Sequence, residues 1–297
     1  MTHRRCWLKA RLLKLATVFS IKLAAFAIME NHFHVVLKVE RGQAEKWSDT
    51  EIIQRWHQVF KGTELSQRFL AQEALSIEEQ KILSHSIGRW RLALTDISWF
   101  MRCVKEPLAR QANKEDGCKG RFWEGRFHSQ ALLDARALVA CMTYVDLNPL
   151  RANLGKFPES DPFTSLHQRA AAVAPDNAAP QALHSGLMHI DAHAEHTASI
   201  TLPFNTLEYL ELVDIAARHD RPDKKGTLNT HAQPVLERLG ISKSAWQDLE
   251  ICFKKHFHVL VGCSDSLKNA CRILGQKGAW GQQHCQSFFD ESQVASQ

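Results

Sequence analysis

Long apolar runs free of charge are missing from this sequence. The most apolar stretch, Trp7 to Met29, is interrupted by Lys9, Arg11, Lys14 and Lys22, so no segment reads as a bilayer-spanning helix. No signal peptide is evident, and the expectation is a cytoplasmic chain with no membrane partner. Cysteine is present at 6, 103, 118, 141, 252, 263, 271 and 285, but no two are spaced as Cys-x-x-Cys. That spacing argues against a zinc knuckle and leaves reduced thiols as the expected state. Tyrosine is scarce, with only Tyr144 and Tyr209. No internal repeat occurs at solenoid spacing.

What is present is ordinary globular material. The 297 residues, 44% hydrophobic and 23% charged, suffice for one large domain or two smaller ones. Lys and Arg number 37 against 32 Asp and Glu. A balance of that size does not by itself identify a nucleic-acid partner, and the placement of the charge matters more.

Periodicity predicts a helix over Arg4–Ala16, a buried strand over Val18–Ile28, a tight turn at Met29-Glu30-Asn31 and a second strand over His32–Glu40. Helical patterning follows from Asp49 to about Arg89. Thr95-Asp96 can cap a further helix, in which Pro107 is expected to impose a kink or an end. Asn113–Gly120 reads as a polar loop, and Arg121–Leu133 as a strand of alternating bulky and polar residues. Asp134 is a plausible N-cap for a helix from Ala135 to about Leu147, with Leu138, Met142 and Val145 on its buried stripe and Pro149 as its stop. Residues 1–170 are thus expected to form one domain, 171–202 a linker rich in Ala, Pro, His and Ser, and 203–297 a mainly helical C-terminal domain. Helices are predicted there around Leu207–Ala217, Pro234–Leu239, Ala245–Phe257 and Ser266–Leu274.

Three elements can carry chemistry. His32 and His34 are two apart, so on a strand their imidazoles share a face and can grip one metal ion. Packing at a strand end explains a bare His-x-His equally well, and the same tripeptide recurs at His256-Phe257-His258. That second copy falls at a predicted helix end, where residues two apart diverge by about 200°, so it is assigned to structure. Tyr144 and Asn148 are four apart and project from one helix face, away from the buried stripe; a buried tyrosine with an Asn-Pro stop is the competing reading. A tyrosine oxygen can attack a DNA phosphorus and hold the strand as a phosphotyrosine. Two histidines with the Asn148 carbonyl suit Mg2+ or Mn2+, which would polarise a phosphate oxygen. Arg121-Phe122-Trp123-Glu124-Gly125-Arg126-Phe127 interleaves basic and aromatic residues, and Arg102, Lys105 and Lys119 lead into it. Arg102, Lys105, Lys119, Arg121, Trp123 and Arg126 are candidate DNA contacts, through phosphate binding and base stacking. A strand with aromatics inside and arginines in solvent explains the pattern about as well.

MENHFHVVLKV, GRFWEGRFHSQALLDARALVACMTYVDLNPLRANL and DPFTSLHQR occur in that order. Together they resemble the single-tyrosine transposases of the His-hydrophobe-His class, in particular the REP-associated tyrosine transposases, over roughly residues 1 to 170. The resemblance implies His32 and His34 as metal ligands, Asn148 as a third ligand and Tyr144 as nucleophile. It implies an α/β (α+β) ferredoxin-like fold, an antiparallel sheet backed by helices. The implied activity is metal-dependent cleavage and rejoining of single-stranded DNA near a hairpin, through a 5′-phosphotyrosine and a free 3′-hydroxyl. Monomer and homodimer both remain open. The pattern usually opens with a strand before the first helix. This sequence starts almost directly in that helix, and a missing strand would leave an open edge beside the His32 strand. A hairpin-DNA-binding derivative without cleavage is the alternative reading.

Overall fold

A computed structural model describes residues 2–152, 154, 157–173, 186–190, 202–219 and 259–279, together with residues 236, 238, 239, 241, 246, 282 and 285. The described residues are of the α+β type, helices with a two-stranded antiparallel sheet. They group into two compact units, each assembled from separated stretches of sequence. The first draws on residues 1–24, 37–127 and 184–188, the second on 25–36, 128–183 and 189–297. Among the described residues no helix is long and apolar enough to cross a membrane.

In the first unit α1 (Thr2–Val18) buries Leu8, Leu12 and Leu15, the i, i+4, i+7 stripe of an amphipathic helix. Three helices begin at reciprocal caps. Ser48 and Glu51 start α3 (Asp49–His57), Thr63 and Ser66 start α4 (Glu64–Leu70), and Ser76 and Glu79 start α5 (Ile77–Ala93); each box satisfies two amides that the first turn leaves unpaired. A short α2 (Arg41–Lys46) precedes them. Trp56 on α3 stacks against Trp90 on α5 and against Phe60, with ring centres 5.4 and 4.4 Å apart. Gly62 closes the α3–α4 connection at φ +75°, where a Cβ would meet the His57 ring at 2.0 Å. Glycine is required there on both counts.

The next helix, α6 (Ile97–Glu115), starts at Asp96, whose side chain accepts from the Trp99 amide at 2.9 Å. Of the two outcomes expected at Pro107, a kink or an end, the end does not occur, and the helix continues to Glu115. Proline removes the amide that would bond the carbonyl four residues earlier. That carbonyl belongs to Cys103, and Arg11 of α1 donates to it through Nε at 3.0 Å. The polar loop accordingly begins later than expected, after Glu115.

The hairpin of β1 (Ile21–Ile28) and β2 (Phe33–Val39) turns at residues 29–32, where the Met29 amide donates to the His32 carbonyl at 2.9 Å. Its turn end, residues 25–36, belongs to the second unit. Almost every residue of β1 is buried, which explains its near-continuous apolar sequence. Besides β2, β1 makes isolated bridges at Leu23 with Leu187 and at Ala27 with Thr164.

The strand expected over Arg121–Leu133 is not formed. Only β3 (Ala131–Leu132) is extended in a ladder, parallel to β4 (Leu260–Val261). A strand needs a neighbouring backbone to pair with. Residues 120–125 are instead fastened to α6 by side chains: the Trp123 indole donates to the Lys105 carbonyl at 3.0 Å, Lys105 Nζ to the Gly125 carbonyl at 2.9 Å, and Asn113 Nδ2 to the Gly120 carbonyl at 2.9 Å.

The second unit also contains α7 (Ala135–Asp146), α8 (Asn148–Arg151), a 3-10 turn at Pro158–Ser160, α9 (Ser165–Val173), α10 (Thr206–His219) and α11 (Ser264–Leu274). Asp134 caps α7 as anticipated, its Oδ1 accepting from the Ala137 amide at 2.9 Å. Its Oδ2 also accepts from the Cys263 amide at 2.7 Å, just after β4. As expected, α7 ends just ahead of Pro149, at Asp146. The chain then enters α8, with Pro149 in its first turn, where a missing amide is not needed. The predicted helices at Leu207–Ala217 and Ser266–Leu274 correspond to α10 and α11. Most of those around Pro234–Leu239 and Ala245–Phe257, the tripeptide His256-Phe257-His258 and most of 171–202 lie outside the described residues.

Candidate active site

The residues singled out for chemistry fall in two groups, one in each unit. His32, His34, Tyr144 and Asn148 belong to the second unit. His32 ends the hairpin turn and His34 is on β2. Their rings meet edge to face with centres 5.0 Å apart. His32 Nδ1 lies 2.7 Å from Asn31 Oδ1. A carboxamide oxygen accepts only, so Nδ1 is the donor in this contact, and in the neutral ring Nε2 is the nitrogen with the lone pair. This is the arrangement by which a neighbouring acceptor fixes the tautomer of a metal-binding histidine.

The α7 helix brings Tyr144 to the same place. Its ring centre is 6.3 Å from that of His34, again edge to face. Leu138, Met142 and Val145 are buried on the opposite stripe, while Tyr144 and Asn148 are half-buried. Asn148 Nδ2 donates to the Tyr144 carbonyl at 3.3 Å. Only the amide nitrogen can face a carbonyl, so Oδ1 is the atom of Asn148 with metal-binding character. Two imidazoles and one amide oxygen form a neutral donor set, compatible with Mn2+ and less so with Mg2+. Among the described residues no group of three or more His, Cys, Asp or Glu is placed to hold a metal ion.

Two features of this region are invisible in a motif search. The first is Arg151, which lies on the face of Tyr144 and Asn148. Its guanidinium carbon is 5.2 Å from the centre of the Tyr144 ring, and Nη1 donates to the Tyr144 carbonyl at 3.3 Å. Positions 144, 148 and 151 have i, i+4, i+7 spacing, a signal in the sequence that reading Pro149 as a stop conceals.

The second feature lies beneath. Asp146 is fully buried. Its Oδ1 accepts from Ser165 Oγ at 2.5 Å and from the Leu166 amide at 3.2 Å, and its Oδ2 accepts from the Tyr209 hydroxyl at 2.7 Å. Burial pushes the Asp146 carboxyl up, while the buried Arg169 charge and these donors hold it down. Burial and then the Asp146 charge push the Tyr209 phenol well up. Ser165 Oγ also accepts from the Phe26 amide at 2.9 Å. In this way the DPFTSLHQR segment anchors α7 and α10 to β1. Such a network is costly to leave half satisfied.

Thiol chemistry is not favoured at Cys141 of the second unit or at Cys103 of the first. Burial raises the Cys141 thiol to about 12 and the Cys103 thiol to about 11, far from the thiolate a nucleophile needs. None of the described cysteines forms a disulfide. A groove of about 340 Å³ lined by Pro158, Glu159, Leu166 and Asp214 is elsewhere in the second unit and contains none of the candidate residues.

The candidate DNA contacts belong to the first unit. Arg102, Lys119, Arg121 and Arg126 are exposed, although Arg102 pairs with Glu106 at 3.1 Å. Trp123 and Lys105 are half-buried and engage each other, the Lys105 ammonium lying 5.1 Å from the Trp123 ring centre. Burial lowers the Lys105 ammonium. These two fasten the loop to α6 rather than standing open to solvent.

Family models, characterised proteins and solved structures were all compared with the chain, and none matches. The functional reading therefore rests on the residues themselves.

Proposed function

We propose that this chain cuts and rejoins single-stranded DNA through Tyr144, as a tyrosine transposase acting on hairpin-forming repeats of the REP type. The proximity of the His34 and Tyr144 rings, 6.3 Å between centres, carries this reading, because it joins a potential metal ligand to a potential nucleophile from distant parts of the sequence. Tyr144 Oη attacks the scissile phosphorus and forms a phosphotyrosine. The bond from phosphorus to the 3′ oxygen breaks, the phenolic proton passes to solvent, and the departing oxygen takes a proton to become a 3′-hydroxyl. A 3′-hydroxyl attacking the phosphotyrosine reverses these steps and rejoins the strand. His32 Nε2, a ring nitrogen of His34 and Asn148 Oδ1 would hold Mg2+ or Mn2+. When bound, the ion supplies Lewis-acid polarisation of a non-bridging phosphate oxygen. Asp146 is too deeply buried to serve as base or ligand.

In this reading the β1–β2 hairpin and its helices belong to a ferredoxin-like domain, and the enzyme works in the cytoplasm. Exposed Arg102, Lys119, Arg121 and Arg126 supply phosphate contacts. The test is incubation of the full chain with a single-stranded hairpin oligonucleotide and Mn2+, followed by a denaturing gel. A covalent protein–DNA adduct is expected in wild type and absent in Tyr144→Phe. An adduct of equal yield in both refutes the assignment. Tight hairpin binding by a wild type that forms no adduct assigns the chain instead to hairpin recognition without cleavage.

A further inference from the structure

We infer that Arg151 is a positioning residue for Tyr144, setting the direction of the phenol by clamping both its ring and its backbone. The inference rests on the reading of Tyr144 as nucleophile. The guanidinium plane has donors on several edges. One, Nη1, reaches the Tyr144 carbonyl, and the cation lies over the aromatic face. His34 meets the same ring edge to face. The ring is thus bounded by a cation on one side and an imidazole on another, which restricts rotation about its two side-chain bonds. An in-line attack requires the oxygen to be held close to the reacting geometry, and small displacements slow it sharply.

The short α8 helix makes this contact available. The chain passes through Leu147 with right-handed helical angles, φ −86° and ψ −6°. The Arg151 amide bonds the Leu147 carbonyl at 3.1 Å, so Arg151 returns two turns later to the face of Tyr144. Asn148 Nδ2 and Arg151 Nη1 converge on the same carbonyl. The nucleophile's backbone is therefore held by the residue assigned to the metal and by the residue assigned to orientation. Lysine cannot reproduce this arrangement, since a single ammonium cannot both bond the carbonyl and lie flat over the ring.

The experiment compares wild type, Arg151→Lys and Arg151→Ala in single-turnover adduct formation at saturating hairpin DNA with Mn2+, beside hairpin affinity and melting temperature. The expected result is a rate lower by about tenfold to a hundredfold in Arg151→Ala and by less in Arg151→Lys, with hairpin affinity nearly unchanged. A wild-type rate in either variant overturns the inference. A loss of rate matched by an equal loss of affinity also overturns it, because Arg151 would then be a DNA-binding residue. If Arg151→Ala does not fold, the folded Arg151→Lys decides on the same criteria. Absence of any adduct in wild type is a different failure: it removes the Tyr144 reading, and this inference with it.

Discussion

Tyr209 on α10 donates its hydroxyl proton to Asp146 Oδ2 at 2.7 Å, with both side chains fully buried. The chain's two tyrosines therefore have opposite situations. One is tied to a carboxylate in the core, and the other shares a half-exposed helix face with an amide and a guanidinium.

Tyr209→Phe should lower stability by about 1–3 kcal/mol, the usual cost of leaving a buried acceptor without its donor. Thermal melting measures that loss. Below its melting temperature the variant should still form the covalent DNA adduct, and the adduct peptide should contain Tyr144. Recovery of DNA on residue 209 in wild type would reverse the assignment.

Asn31→Ala removes the acceptor that fixes the His32 tautomer. Its Mn2+ affinity, followed by calorimetric titration, should fall about tenfold or more, as is typical when a ligand's orienting partner is lost. His34→Ala should weaken binding further. Equal affinities in all three proteins would place any bound metal away from the hairpin.

Arg121→Ala and Arg126→Ala alter exposed cations and should leave the melting temperature within experimental error. If each touches a phosphate of single-stranded DNA, each should reduce the slope of log affinity against log salt by about 0.7. Trp123→Ala is expected to act differently, lowering stability through the lost bond to Lys105. An unchanged salt slope in both arginine variants would exclude the 121–127 loop from the binding surface.

Glu79 gives a pH dependence with a definite sign. The Ser76 amide, then Arg68, hold its carboxyl below the ordinary value of 4.5. A depressed acid contributes stability that is fully present above its unfolded value and is lost as pH falls through the folded value. The melting temperature of wild type should therefore decline below about pH 4.5. Glu79→Gln should start lower and decline less steeply over that window. Parallel curves for the two proteins would show that the α5 cap does not contribute to acid sensitivity.

The sequence by itself determined the local elements that depend on local chemistry. The capping residues Asp96 and Asp134 start their helices, and the turn at residues 29–32 separates two strands, because those side chains and the alternation around them act over a few residues. The face shared by Tyr144 and Asn148 was legible for the same reason, since helix geometry alone fixes it.

Tertiary structure decided whatever needed a distant partner. Pro107 was expected to kink or end its helix; the helix runs on past it, and Arg11, 96 residues earlier in the chain, takes up the carbonyl that proline leaves unpaired. Arg121–Leu133 carries a strand pattern, yet most of it forms no ladder, because a strand depends on a neighbouring backbone as well as its own sequence. The fate of Asp146 was set by Ser165, Arg169 and Tyr209, which no spacing rule connects to it. Likewise His34 and Tyr144 are more than a hundred residues apart in sequence, and only the packing of α7 beside the hairpin turn brings their rings together.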